Sequence, residues 1–172
     1  MTAQIKEPIF RSVGHALNWS FNVLATSLEA PNILVQFMPR RSSSLGLSGW
    51  DAHAQAAMIL RRVEALPEAW RCALVLFYAD ASAREQAARV MAQHIAAGLG
   101  AGHHNRRAIQ FAALACAKTR GYTIRRVADI LNIGYVPARA YVKRVGVVVG
   151  TLRDRGEDLL RGQLEDDGVT ER

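Results

Sequence analysis

Apolar residues recur at steps of three and four along most of this chain, and no run sustains the apolar/polar alternation of a half-buried strand. The pattern predicts an all-α protein: a helical bundle containing a helix-turn-helix, with a long C-terminal helix and an N-terminal helical arm. A first helix is expected over residues 8 to about 28, where Phe10, Val13, Leu17, Phe21 and Leu24 share one face. That face is wide, so it must be buried or form an interface. Pro31 ends it. Residues 31–49 carry two prolines, three consecutive serines and two glycines, the composition of a linker or extended arm, with Arg40 and Arg41 inside it. The expected organisation is 1–48 as helix and arm, 49–164 as the main helical domain, and 165–172 as an acidic, solvated and disordered tail.

Punctuation divides the main domain into helices. Ser48 and Asp51 have capping-box spacing, and the helix they open runs to about Leu66. Pro67 fits the first turn of the next helix, whose run Ala73-Leu74-Val75-Leu76-Phe77-Tyr78 belongs in the core. Ser82 and Glu85 form a second capping box, for a helix to about Ala97. Gly98, Gly100 and Gly102 then make a loop that carries His103 and His104. Asn105 can cap a helix ending before Gly121, Thr123 can cap a short one to about Asn132, and a longer one begins near Pro137. No internal repeat is visible.

The segment Tyr122–Arg144, about 122–147 with its flank, has the layout of a helix-turn-helix. Ile124, Val127, Ala128 and Leu131 form the inner face of its first helix, and the small Ala128 permits a close crossing. In the turn Asn132-Ile133-Gly134, Ile133 is expected to plug the core and Gly134 to take the unrestricted φ. Pro137 presets φ in the first turn of the second helix and gives up an amide that has no helical partner there. Ala138, Tyr141, Val142, Val145 and Val149 make a buried stripe. The opposite face presents Arg139, Ala140, Lys143 and Arg144, short or basic groups suited to base edges in a major groove. The alternative is a structural helical hairpin whose outer cations are simply solvated.

Leu66-Pro67-Glu68, then Arg71 and the apolar run ending at Tyr78, resembles the opening of the region-4 DNA-binding domain of sigma factors, where a Leu-Pro-led helix precedes a helix-turn-helix. Residues 80–121 stand between the two pieces here. The long final helix, with Val148, Leu152, Leu159, Leu160 and Leu164 before Gly168, is similar to that of small phage and prophage DNA-binding proteins, including Q-type late antiterminators. The resemblance implies binding near a promoter and contact with RNA polymerase.

Charge sharpens this picture. The net charge is +7, but 18 of the 22 basic residues and only 8 of the 15 acids lie in 1–150, a net of +10 against −3 for the remainder. Between residues 105 and 144 stand Arg106, Arg107, Lys118, Arg120, Arg125, Arg126, Arg139, Lys143 and Arg144, against the single acid Asp129. Such an excess suits a polyanion, and it makes Arg106, Arg107, Lys118, Arg120, Arg125 and Arg126 the phosphate-contact candidates. An arginine-rich composition alone is the competing explanation, since 19 of the 22 cations are Arg. Arg106 and Arg107 open a helix, where free amides already favour anions. His103 and His104 would extend that patch at lower pH.

Other chemistries find little support. Two cysteines, Cys72 and Cys116, exclude a disulfide-built scaffold and a four-cysteine zinc site, and both sit in apolar runs as expected core thiols. His94, His103, His104 and Cys116 do not make a converging ligand set. Nucleophile-elbow, Walker and dinucleotide motifs are absent. The C-terminal carboxylates Asp154, Glu157, Asp158 and Glu165–Asp167 read as a solvated helix end rather than a magnesium site for nuclease chemistry. Trp19, Trp50 and Trp70 read as core or interface anchors. No catalytic residue, cofactor or metal is therefore expected. Neither a membrane-spanning run nor a signal peptide is visible, so the expected location is the cytoplasm, on the nucleoid or in a host cell if the chain is phage-encoded. The expected partners are double-stranded DNA, RNA polymerase for an antiterminator, and a second copy of the chain for a dimeric repressor. A helical module that binds protein and never DNA is the alternative from a different class.

Overall fold

The computed structural model describes residues 9–29, 49–98 and 103–171, with the side chains of residues 24–29, 49, 50, 98, 103 and 104 outside that description. Seven helices occupy the described residues: α1 (Val13–Glu29), α2 (Gly49–Glu64), α3 (Glu68–Tyr78), α4 (Ala81–Gly98), α5 (His103–Cys116), α6 (Ile124–Leu131) and α7 (Tyr135–Asp166). The fold is all-α, and its only strand-like feature among those residues is one isolated bridge. The arm with Arg40 and Arg41, the Ser48 cap, the loop residues 99–102 and the side chains of Trp50, His103 and His104 lie outside the described residues.

The chain clusters into two compact units, residues 66–156 and residues 1–65 with 157–172. These limits cut across the organisation expected from composition: α2 clusters with α1 rather than with α3, and α7 contributes to both units.

Small residues govern packing in the 66–156 unit. Pro67 is the N-cap of α3, one position earlier than expected, with the extended ψ of 139° that a cap requires. Cys72, Ala73, Leu74 and Leu76 on α3 are buried. On α4 the buried set is Ala87, Ala88, Met91, Ala92, Ile95 and Ala96, and on α5 it is Ala108, Ile109, Ala112, Ala113 and Leu114. Alanine at so many inward positions lets backbones approach closely while larger neighbours fill the remaining space. Val127, Val142, Val145 and Val149 complete the same core, with Tyr122, Ile124, Leu131 and Tyr141 packed around it. The tightest approach is at Gly146, where an added Cβ would stand 2.8 Å from Cys116 Sγ. That half-buried thiol donates to the Val142 carbonyl at 3.3 Å, and burial pushes its pKa up. Cys72 is buried as expected, and burial likewise raises its pKa.

Two helix starts differ from the sequence expectation. Asp80, not Ser82, caps α4: its Oδ1 accepts from the Ala83 amide at 2.9 Å, and its carbonyl accepts from Arg84 N at 3.0 Å. Asp80 stands one residue before the helix and is as good a cap as serine, so the earlier site wins. Asn105 does not cap α5, which begins two residues earlier at His103.

In the other unit, the first helix starts at Val13 rather than residue 8. Ser12 caps it, its Oγ accepting from His15 N at 3.2 Å. Phe10 instead pairs with the chain end: Phe10 N donates to Val169 O at 3.0 Å and Glu171 N to Phe10 O at 3.1 Å. Val13 and Leu17 are buried and Phe21 is half-buried, as their spacing predicted. Trp19 is a half-buried anchor, its ring 5.1 Å from that of Phe10. The acidic end is therefore not a solvated, disordered tail. Val169 and Thr170 are buried with Leu160 and Leu164, and Asp167 is ion-paired with Arg62. Gly168, at φ 67°, turns the chain out of α7 so that Val169 can return to the Leu164 carbonyl at 2.8 Å.

Two glycines one turn apart on α7 separate packing from helix propensity. Gly150→Ala meets nothing within 4 Å and should stabilise by about 1 kcal/mol in urea denaturation. Gly146→Ala should lose that gain, because overpacking costs about 1–3 kcal/mol, and should recover it in a Cys116→Ala background.

Candidate nucleic-acid interface

Helix α6, a three-residue turn and the start of α7 build the predicted helix-turn-helix segment. Thr123 adopts an extended backbone, and its Oγ1 accepts from the Arg126 amide at 3.4 Å, so α6 begins where expected. Val127 and Ala128 are buried, and Ile124 and Leu131 half-buried. The helix ends in a Schellman arrangement: Ile133 N donates to Ala128 O at 3.1 Å and Asn132 N to Asp129 O at 3.3 Å.

The turn differs from expectation in two residues. Asn132, at φ 52° and ψ 48°, takes the left-handed conformation, and Gly134 does not. Asn tolerates that region because its short polar side chain can bond locally. Ile133 does not plug the core: it is 39% exposed, since the Schellman reversal turns it outward.

Helix α7 begins at Tyr135, two residues before Pro137. Its first helical bond runs from Ala138 N to Gly134 O at 3.1 Å, so the missing Pro137 amide is one of those without an intrahelical acceptor. Ala138, Val142, Val145 and Val149 are buried, and Tyr141 is half-buried, with burial raising its pKa against the opposing charge of Arg144. Arg139, Ala140, Lys143 and Arg144 are all exposed, as the predicted outer face requires. Residues 135–153 contain no acid at all.

The six phosphate-contact candidates, Arg106, Arg107, Lys118, Arg120, Arg125 and Arg126, are exposed too. Two of them, Arg107 and Arg126, adjoin one aromatic pair. The Arg107 guanidinium lies 5.7 Å from the Phe111 ring centre, and Phe111 meets Tyr122 edge-on at 5.0 Å. Tyr122 donates its phenolic proton to Glu85 Oε1 at 2.8 Å. That bond raises the Tyr122 pKa, assisted by burial and the Glu85 charge and opposed by the nearby Arg126. Glu85, the expected capping-box acid, thus ties the α5–α6 loop to α4 instead. Lys118 sits in that loop at φ 54°, where Lys118 N donates to Ala115 O and Thr119 N to Leu114 O, closing α5 as Asn132 closes α6.

No protein-family model, curated protein or solved structure matches this chain.

Two surface residues escaped the sequence reading. Val136 is 77% exposed, Tyr135 51%, and Ile133 adjoins them in the turn. Starting the helix at Pro137 leaves Tyr135 and Val136 in a loop; the usable signal is that proline is tolerated throughout a first turn, not only at its first position. Three of the residues weighed for a metal or nuclease site contact protein groups. His94 Nε2 donates to Glu68 Oε2 at 3.0 Å, Asp154 pairs with Arg153, and Asp158 with Arg161.

Lys118 occupies a position where glycine is favoured. Lys118→Gly should therefore raise stability by about 1 kcal/mol in urea denaturation, and Lys118→Ala should not.

Proposed function

We propose that this chain is a helix-turn-helix DNA-binding transcription regulator of phage or mobile-element type. The observation that carries the proposal is the first part of α7, where a buried Ala138-Val142-Val145-Val149 stripe leaves Arg139, Lys143 and Arg144 exposed along a stretch with no acid. A helix with one face locked in a core and the other basic can enter a major groove without exposing its own core. Arg139, Ala140, Lys143 and Arg144 read base edges in this proposal. Arg106, Arg107, Lys118, Arg120, Arg125 and Arg126 hold phosphates, which position the protein and carry no sequence information. No reaction is assigned to the chain.

The resemblance to sigma region 4 and to Q-type antiterminators supports a regulator that also touches RNA polymerase. A second, protein-directed role has its own observation. Val147 is 62% and Val148 38% exposed, one turn beyond Lys143. A patch of that kind suits polymerase in an antiterminator, a second copy in a dimeric repressor, or another protein in a DNA-independent interaction module. Co-purification with polymerase separates the first from the others.

The test is titration of a fluorescent duplex pool at two salt concentrations. Wild type should lose about a thousandfold in affinity between roughly 50 and 200 mM salt, the response of a protein making several phosphate contacts. Arg139→Ala/Lys143→Ala should weaken low-salt binding about tenfold or more with helical circular dichroism unchanged. No duplex binding by wild type at low salt sinks the DNA reading and moves the function to the protein-directed alternative.

A further inference from the structure

The start of α7 is both basic and apolar, and among the described residues its Val136, Arg139, Ala140 and Lys143 are all exposed. Val136, Arg139, Ala140 and Lys143 stand at i, i+3, i+4 and i+7, so they share one face. Val136 and the buried Ala138 lie about 200° apart around the helix, which explains why one is 77% exposed and the other fully enclosed. Val136, Tyr135 and Ile133 together leave apolar side chains exposed beside an acid-free, cationic surface, which suits a partner that is polyanionic and also presents apolar groups. A duplex major groove does both. Its phosphates meet the cations, and each thymine projects a C5 methyl among the base-edge acceptors.

We infer that Val136, assisted by Ala140 one turn on, is a specificity-determining residue that reads a thymine methyl, with Arg139 and Lys143 placed for adjacent guanines. This rests on the DNA-binding proposal above and names the base chemistry the same helix selects. From Val136 to Lys143 the helix rises about 10 Å, the length of roughly three base pairs. N-terminal residues of a recognition helix are those that reach base edges, which places Val136 and Arg139 deepest. The expected half-site is thus a short mixed element with thymine at the Val136 end and guanine beside it.

The full chain selects duplexes from a random pool, and the recovered half-site is rebuilt with deoxyuridine for one thymidine at a time. This change removes the methyl and leaves base pairing intact. Wild type should lose roughly fourfold in affinity at the thymine facing Val136. Val136→Ala should bind the thymine duplex roughly fourfold or more less tightly, and lose nothing further on uridine substitution. Arg139→Ala should keep the methyl sensitivity while relaxing the guanine preference. Salt-sensitive binding that ignores the methyl, a selected site with no thymine, or methyl sensitivity that survives in Val136→Ala each overturns this inference and leaves the DNA-binding proposal standing. A wild-type dimer that Val136→Ala dissociates also overturns it, because the face is then an interface between copies. Absence of any salt-sensitive duplex binding removes the DNA proposal itself.

Discussion

The surface offered by α7 depends on how its inner stripe is held. Ala138 is buried, and Val142, Val145 and Val149 sit in a core to which α4 and α5 contribute Ala87, Ala88, Ala92, Ala96, Ala112 and Ala113. With small residues on both sides there is little slack, and the contact of Gly146 with Cys116 leaves no room for even a methyl group. A helix gripped this closely cannot rotate about its axis without opening cavities or forcing overlaps. The register of the buried stripe therefore dictates which residues face outward, and Val136, Arg139, Ala140 and Lys143 are presented as a set.

The electrostatic character of that set follows from what is missing. Among the described residues, no ion pair holds Arg139, Lys143 or Arg144, whereas two arginines further along α7 are matched with acids, Arg153 with Asp154 and Arg161 with Asp158. Exposed pairs of that kind contribute little to stability, but they cancel charge locally. One end of α7 is thus electrostatically neutralised by its own side chains and the other is left positive. In the proposed binding the side chains left positive neutralise phosphates and release the cations condensed on the duplex, which is the driving force.

Three helix ends share one device and differ in the residue that performs it. Lys118, Asn132 and Gly168 all take positive φ, and in each case the amide of the next residue returns to a carbonyl five residues earlier. Gly168 does this without strain and delivers Val169 to a buried position. Asn132 does it at small cost and delivers Ile133 to the surface. Lys118 accepts the largest backbone penalty while keeping a cation in the loop before α6. The same local geometry thus ends in a core contact, an apolar surface or a charge, according to the residues beside it.

Local sequence pattern determined the all-α class, the seven helices among the described residues, the Thr123 cap, the inner face of α6 and the two faces of α7, because these depend on residues a turn or less apart. Charge clustering determined which side chains are candidates for phosphates, because long cationic side chains without nearby acids remain solvated wherever the backbone carries them. Only tertiary structure decided the rest. Glu85, read as a capping-box acid, is instead engaged by Tyr122, a residue 37 positions away. The acidic tail became ordered because Phe10, at the other end of the chain, supplies a backbone partner for Val169 and Glu171. Ile133 and Val136 became surface because the Asn132 reversal and the α7 register turn them away from a core whose volume is already filled by Val127, Val142 and their neighbours. Local patterns specify what a segment can be; which of its apolar residues are buried depends on how much space distant segments leave.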